Sequence, residues 1–310
     1  MKLRPTYRTP RAHNYLRPGG PWDIPSLDAL CAEAARKRSR RELLVDESAA
    51  VRWSGGELEA GVSVLAGGLR AAGVGRGDVV AWQCPNWHEA VLLFRACWRL
   101  GAIAAPIHHQ AGERDVTRML AIVEPRVWLS QHDVRGRHAR FAELTTHVAP
   151  VGHSAARASD LAVVLFTAGS TGEPKAALHT QRGLAYKARV MVDAHHLRGR
   201  DTVLMPAPLS HISGLLNAVL LPGVLPFRSV LMPRWDPERA LDVIEQEQIT
   251  FMIGPPTFFV ALMHARGFST ERVASLRLVS SGGAGVTPAF VEAASAALGC
   301  RVKRTYGSTE

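Results

Sequence analysis

The chain is poor in lysine and in cysteine, and it has no long uninterrupted apolar run. Lysine stands only at positions 2, 37, 175, 187 and 303, so 32 of the 37 basic residues are arginine. Against 27 acidic residues this leaves a formal net charge of +10. Such a balance can serve nucleic acid, a membrane surface or phosphorylated small molecules. The basic residues are scattered, however. The one short run, Arg36-Lys37-Arg38 with Arg40 and Arg41, reads as a solvated helix end. The arginine excess, beside so much alanine and glycine, reads as GC-rich codon usage, and no nucleic-acid partner is expected. The four cysteines, at 31, 84, 97 and 300, form no Cys-x-x-Cys pair, so neither a zinc site nor a thioredoxin-like site is signalled. The basic, prolyl residues 1–20 contain no apolar stretch, which excludes a secretory signal. Free thiols in a reducing cytoplasm are therefore expected. The longest mostly apolar run, Leu215 to Phe227, holds Pro222 and Pro226 and falls short of the ~18 residues of a membrane span, so no transmembrane segment is expected.

What is present is globular. Hydrophobic residues make up 47% and charged residues 21% of the 310, which excludes a disordered or collagen-like chain. At ~150 residues per domain the length suggests about two domains. Residues 1–25, with five prolines and Gly19-Gly20, read as an irregular arm. Leu43–Asp46 and Ala50–Trp53 flank a polar turn and read as a hairpin. Leu58, Val62, Leu65 and Leu69 share one helical face, closed by Gly73. Strands then alternate with helices: strand 79–83, helix 87–100, strand 103–106, helix 113–122, strand 126–130. Residues 131–160 lack clear periodicity and read as a connection between subdomains. Strands at 161–166 and 176–179 and a helix at 181–196 follow. Further strands are expected at 202–205, 229–232, 250–253, 276–280 and 301–305. Helices 237–247 and 288–298 open with Asp236-Pro237 and Thr287-Pro288, an N-cap followed by proline at the first helical position. The alternation predicts an α/β fold with largely parallel sheets, divided into a first α/β subdomain over 26–155 and a second over 156–310.

The stretch Phe166-Thr167-Ala168-Gly169-Ser170-Thr171-Gly172-Glu173-Pro174-Lys175 carries the most chemistry. An apolar run drops into small hydroxyl residues and glycines and closes on a lysine. Backbone N–H groups freed by Gly169 and Gly172 can form an anion-binding concavity. Thr167, Ser170 and Thr171 add hydroxyl donors, and Lys175 adds a point charge. The loop suits a polyphosphate. It is not a Walker A loop, because Lys175 is flanked by Pro174 and Ala176 rather than by glycine and a hydroxyl residue.

This loop resembles the Thr/Ser/Gly-rich loop, ending in Pro-Lys-Gly, of the adenylate-forming enzymes: acyl-CoA synthetases, luciferases and the adenylation domains of peptide synthetases. The resemblance continues in order along nearly the whole chain. It takes in Trp53 to Leu58, Gly73-Val74-Gly75-Arg76-Gly77-Asp78-Val79-Val80, Pro85-Asn86, Arg99-Leu100-Gly101-Ala102 and Pro106. Pro208-Leu209-Ser210-His211-Ile212-Ser213-Gly214, Ser281-Gly282-Gly283-Ala284 and Tyr306-Gly307-Ser308-Thr309-Glu310 complete it. Two departures stand out: Ala168 replaces a common serine, and Ala176 the usual glycine.

The resemblance implies the large N-terminal domain of these enzymes, two βα-layered subdomains, and a two-step reaction. A carboxylate attacks the α-phosphate of ATP to give an acyl-adenylate, and a thiol, usually coenzyme A, then takes the acyl group. It implies that Thr167, Gly169, Ser170, Thr171, Gly172 and Lys175 hold the β/γ-phosphates. It implies that Glu310 helps to hold Mg²⁺ and that Thr309 sits near the α-phosphate. Tyr306, with Gly307, stands beside adenine, and Gly282, Gly283 and Ala284 lie across from it. His211, Gly214 and Ala284 border the acid pocket. The His108-His109 and His195-His196 pairs are expected to be surface or core residues, since neighbours on a strand or helix do not converge on one ion.

Relatives that activate amino acids place an aspartate near the His211 segment, whereas residues 207–217 contain no carboxylate. Leu215, Leu216, Pro255, Pro256, Phe258 and Phe259 suit a fatty or aromatic acid. The chain stops at Glu310, before the barrel-like subdomain, ribose-binding aspartate, hinge and C-terminal catalytic lysine of the family. A fragment or a half-enzyme is therefore expected, at best weakly active alone and without coenzyme A ligation. Two other classes compete. One is a nucleotide- or acyl-binding remnant without catalysis. The other is a serine hydrolase, from the partial elbow Gly152-His153-Ser154-Ala155-Ala156.

Overall fold

The computed structural model describes residues 16–136, 139–167 and 173–310. Residues 1–15 of the expected arm and Ala168 to Gly172 of the expected phosphate loop lie outside the described residues. In chain order the strands are β1 (Glu42–Asp46), β2 (Val51–Ser54), β3 (Val79–Gln83), β4 (Ile103–Ile107), β5 (Val127–Leu129) and β6 (Leu161–Thr167). There follow β7 (Lys175–Thr180), β8 (Thr202–Met205), β9 (Arg228–Leu231), β10 (Phe251–Gly254), β11 (Leu278–Ser281) and β12 (Arg301–Arg304). They form a seven-stranded sheet, ordered β12-β11-β10-β8-β9-β1-β2, and a five-stranded sheet, ordered β5-β3-β4-β6-β7. Every described pairing is parallel except the hairpins β1–β2 and β6–β7.

The helices between them follow from local chemistry. Ser54 caps Gly55–Ala71 and exchanges hydrogen bonds with Glu57, a complete capping box. Leu58, Val62, Leu65 and Leu69 are all buried on that helix, which ends where Gly73 takes φ +82°. Asp236 and Thr287 cap Pro237–Glu247 and Pro288–Leu298 as their sequences predict. Residues 131–160 contain two short helices, Gln131–Arg135 and Arg140–Glu143.

A cut at 155/156 does not separate the two sheets. Hairpin β1–β2 joins the later strands, with Leu44–Asp46 in register with Ser229–Leu231 of β9. Hairpin β6–β7 joins the earlier ones, with β6 beside β4. The inner strand of each hairpin, β1 or β6, is largely buried in the sheet it joins, and the outer strand, β2 or β7, forms that sheet's half-exposed edge.

Two buried ionic features shape this frame. Arg99, 1% exposed, lies between Asp28 at 3.2 Å, Glu59 and the Ser63 hydroxyl at 2.7 Å. It ties helices Leu27–Lys37, Gly55–Ala71 and His88–Leu100 together. His195, 4% exposed, packs against Phe251 with neither ring nitrogen partnered. Burial, then the charges of Lys303, Arg277, Lys187 and His196, pull its pKa down to about 4. The unfolded chain has an ordinary histidine near 6.5. The unfolded state therefore takes up this proton first, and stability falls as pH drops from about 6.5 to about 4. We expect the melting temperature to fall across that window and His195→Phe to flatten the fall. A melting temperature in which the variant and the parent lose equally between pH 7 and 5 would contradict this account. Carboxylates held below their usual range, such as Asp46 and Asp201, lose their contribution only at more acidic pH.

Candidate active site

Four parallel strands of the larger sheet, β8, β10, β11 and β12, end at the same edge, and the loops leaving them surround a cavity of about 390 Å³. Carboxyl ends of parallel strands are where open α/β sheets hold ligands, because the connecting loops diverge there. His211, Gly282, Gly283, Tyr306 and Gly307, all expected at the site, line this cavity. Gly214, Ala284, Thr309, Glu310 and Lys175 are not in its wall.

The wall formed by β11 and β12 requires glycine. A side chain on Gly282 would stand 2.3 Å from the Thr305 carbonyl oxygen, and Gly283 takes φ +76°. The Gly282 N–H donates to Gly254 O at 3.1 Å, and the Thr305 N–H to Ser281 O at 2.8 Å, so the two loops stay in register beyond the strands. The Tyr306 ring, 100% exposed, stands free at this wall and is available for stacking.

The opposite wall follows β8. Asn86, buried, brings its amide within hydrogen-bond distance of the carbonyls of Met205, Ala207 and Met232, and its Oδ1 accepts from the Leu209 N–H at 2.8 Å. A residue from the first half of the chain thus holds the loop that carries His211. Gly214 lets that loop close on itself, since a side chain there would meet Pro208 O at 2.1 Å. The His211 Nδ1 accepts from the Ser213 N–H at 3.2 Å, which leaves the proton of the neutral ring on Nε2. Burial lowers the His211 pKa, and the nearby His108 ring adds to the push.

Of the apolar set expected around the acid, Leu216, Pro255 and Phe258 line the cavity, and Phe258 stacks on Trp235 at 4.6 Å. Leu215 and Phe259 turn into the core instead. They sit on helical turns, where adjacent residues point about 100° apart.

Sequence reasoning passed over Asn217, in a π turn over Leu216–Leu220. It is 0% exposed and lines the cavity, with its Oδ1 unpartnered. Its signal was available as the single polar residue within Leu215-Leu216-Asn217-Ala218-Val219-Leu220-Leu221.

Thr167 and Lys175 stand opposite each other at the loop end of hairpin β6–β7. Gly169, Ser170, Thr171 and Gly172 lie outside the described residues. Lys175 is exposed and lies close enough to Glu310 to lower its carboxyl pKa, as does His179. The larger causes of that lowering are the backbone N–H of Glu310 and the Ser308 hydroxyl. The terminal stretch from Tyr306 to Glu310 thereby runs from the cavity wall to the hairpin. His179, also missed from sequence, contacts this stretch through the Thr309 backbone, and burial lowers its pKa.

Other features of the chain carry less. A larger cavity of about 700 Å³ opens at the amino ends of β3, β4 and β6, beside Arg76, Asp78 and Arg126, and holds none of the expected site residues. Asp46, His88 and Glu89 stand in metal-ligand proximity, but the Arg135 guanidinium fills the space. It bonds Asp46, the His88 Nδ1 at 3.0 Å and Glu89 at 2.6 Å. Ser154 sits in an irregular exposed loop and accepts from the Ala156 N–H at 3.2 Å; no strand-turn-helix presents it as a nucleophile. Cys31, Cys84, Cys97 and Cys300 are free thiols. Among the described residues no helix is long and apolar enough to cross a membrane.

The model of the AMP-binding enzyme family matches residues 31–310. The chain belongs to this family. The medium-chain fatty-acid–CoA ligase of Escherichia coli K12 is 26% identical over the whole chain and 60% of its own length. The feruloyl-CoA synthase of Amycolatopsis is 32% identical over 87% of the chain and 58% of its own length. The chain thus spans about 60% of the length of the curated relatives it matches. Among solved structures, the N-terminal domain of FACL13 from Mycobacterium tuberculosis superposes with a TM-score of 0.85 at 23% identity, covering 93% of this chain and 77% of that one. The anthranilate CoA ligase AuaEII in complex with anthranoyl-AMP gives 0.87 at 20% identity, covering 94% and 61%. The fold is that of the N-terminal domain of adenylate-forming enzymes.

Proposed function

We propose that this chain supplies the nucleotide- and acid-binding part of an enzyme that activates a hydrophobic, fatty or aryl, carboxylic acid with ATP and then forms its coenzyme A thioester. The carrying observation is the 390 Å³ cavity, with the glycine wall and exposed Tyr306 on one side and Leu216, Pro255 and Phe258 on the other. Gly282 to Ala284 and Tyr306 with Gly307 would sandwich adenine, while the apolar side takes the body of the acid. Thr167 and Lys175, with the loop between them, would hold the β- and γ-phosphates, and Thr309 would stand at the α-phosphate.

The acid carboxylate attacks the α-phosphorus, and pyrophosphate leaves with the P–O bonding electrons. Negative charge accumulates on the phosphate oxygens, so fixed donors and the Lys175 charge lower the barrier most where they face those oxygens. His211 acts as a neutral Nε2–H donor at the mouth of the acid pocket, able to orient a carboxylate. Glu310 fits Mg²⁺: it is an exposed oxygen ligand kept ionised by its surroundings, and this ion takes one or two carboxylates beside substrate phosphates. When bound, Mg²⁺ neutralises charge on the phosphates.

Among the described residues no carboxylate lines the cavity, so none of them awaits a substrate ammonium. The named relatives, a medium-chain fatty-acid–CoA ligase and a feruloyl-CoA synthase, support the same substrate class. ATP–pyrophosphate exchange on the natural gene product, across fatty, aryl and amino acids, tests the reading. Exchange with fatty or aryl acids is expected. A strong preference for a free amino acid would refute the assignment.

A further inference from the structure

We infer that Asn217 selects an acid whose apolar body carries a hydrogen-bond donor, a hydroxyl or an amino group, placed to reach the Asn217 Oδ1. This rests on the acid-activating reading of the same cavity.

The orientation of the amide is determined by chemistry. One end lies 2.8 Å from the Ser213 carbonyl oxygen, which can only accept, so that end must be the NH₂. The Oδ1 is then directed away from Ser213, and no protein donor meets it. Buried polar atoms are nearly always satisfied, so each exception calls for an explanation. Here the residue is wholly buried and belongs to the wall of the substrate cavity.

The helix is also irregular at this point. Leu216–Leu220 forms a π turn, in which the Leu221 N–H bonds the Leu216 carbonyl five residues back. Such turns are rare and concentrate at functional sites. The apolar part of the cavity wall comprises Met191, Ile212, Leu216, Ile253, Pro255 and Phe258, beside the polar Lys187, His211 and Ser213. A leucine at 217 would continue that wall without leaving any atom unpaired. A ligand hydroxyl or amino hydrogen supplies the missing partner, whereas an unsubstituted ring or alkyl chain leaves the oxygen unpaired. Sites that hydrogen-bond a substrate group discriminate strongly against the analogue lacking it, for this reason.

The test uses matched acids, 4-hydroxyphenylpropionate with phenylpropionate and a terminally hydroxylated with a plain medium-chain acid. ATP–pyrophosphate exchange is measured on the natural gene product and on its Asn217→Leu and Asn217→Asp variants. In the parent, kcat/KM for at least one donor-bearing acid should exceed that of its plain partner by tenfold or more. Asn217→Leu should abolish that ratio, and Asn217→Asp, protonated on the oxygen that faces the Ser213 carbonyl so that the other oxygen still accepts, should keep it. Equal rates within both pairs in the parent overturn the inference and leave the acid-activating reading standing; this comparison needs no variant to fold. A ratio unchanged in Asn217→Leu also overturns it. Failure to activate any acid removes the parent reading and this inference with it.

Discussion

An Arg99→Met variant is expected to lose about 3–5 kcal/mol of stability, the usual cost of breaking a buried ion pair from one side. Arg99 is almost wholly buried, and its principal partner Asp28 is 2% exposed. Methionine fills much of the volume but leaves the Asp28 carboxylate without its cation in a region that water does not reach. The Ser63 hydroxyl and the Val151 carbonyl lose a donor as well. Three helices meet at this side chain, so the loss should appear in global unfolding rather than in local fraying. Urea denaturation at pH 7 measures it. Replacing Asp28 by leucine in the same variant should recover part of the loss, because removing both charges spares the desolvation that one alone suffers. A loss below about 1 kcal/mol in the single variant would mean that Asp28 finds another partner.

The second large effect is functional. Lys175→Ala should weaken ATP binding roughly ten- to a hundred-fold, since a charge-assisted contact is worth ~1.5–3 kcal/mol. Lys175 is one of five lysines in a chain that otherwise uses arginine, and it stands exposed at the first position of β7. An ammonium acts on phosphate as a compact point charge, which the planar guanidinium does not reproduce. Lys175→Arg should therefore restore binding only in part. Titration calorimetry with ATP decides the matter. Affinity unchanged in the alanine variant would remove Lys175 from the phosphate site and with it the main support for the loop's assignment.

Much of this molecule was legible without coordinates. The alternation of apolar strands with 3.6-periodic helices gave the α/β class. Proline after Asp236 and Thr287 marked two helix starts within a residue, because capping is a matter of a few neighbouring atoms. The ordered short motifs pointed to the adenylate-forming family before any distance was known. Of helix Leu27–Lys37 only the basic end was anticipated, and the short helices Gln131–Arg135 and Arg140–Glu143, the helix Pro256–Met263 and the continuous turns from Ile212 to Val224 were not. The last two are built almost wholly of apolar residues, so their sequences show no polar–apolar period to read.

By itself the sequence determined most of the strands, the capped helices and the family, all of which depend on residues close together in the chain. Only the tertiary structure decided which sheet each hairpin joins, since pairing depends on cover supplied by distant segments. It alone placed Asn86 under the His211 loop, buried His195 among cations, and left the Asn217 oxygen without a partner in the cavity wall. A side chain's partners, dielectric and unsatisfied atoms are properties of the space around it. That space is built in large part by residues far away in the chain, as Leu209 is from Asn86 and Lys303 from His195, whose convergence no local pattern records.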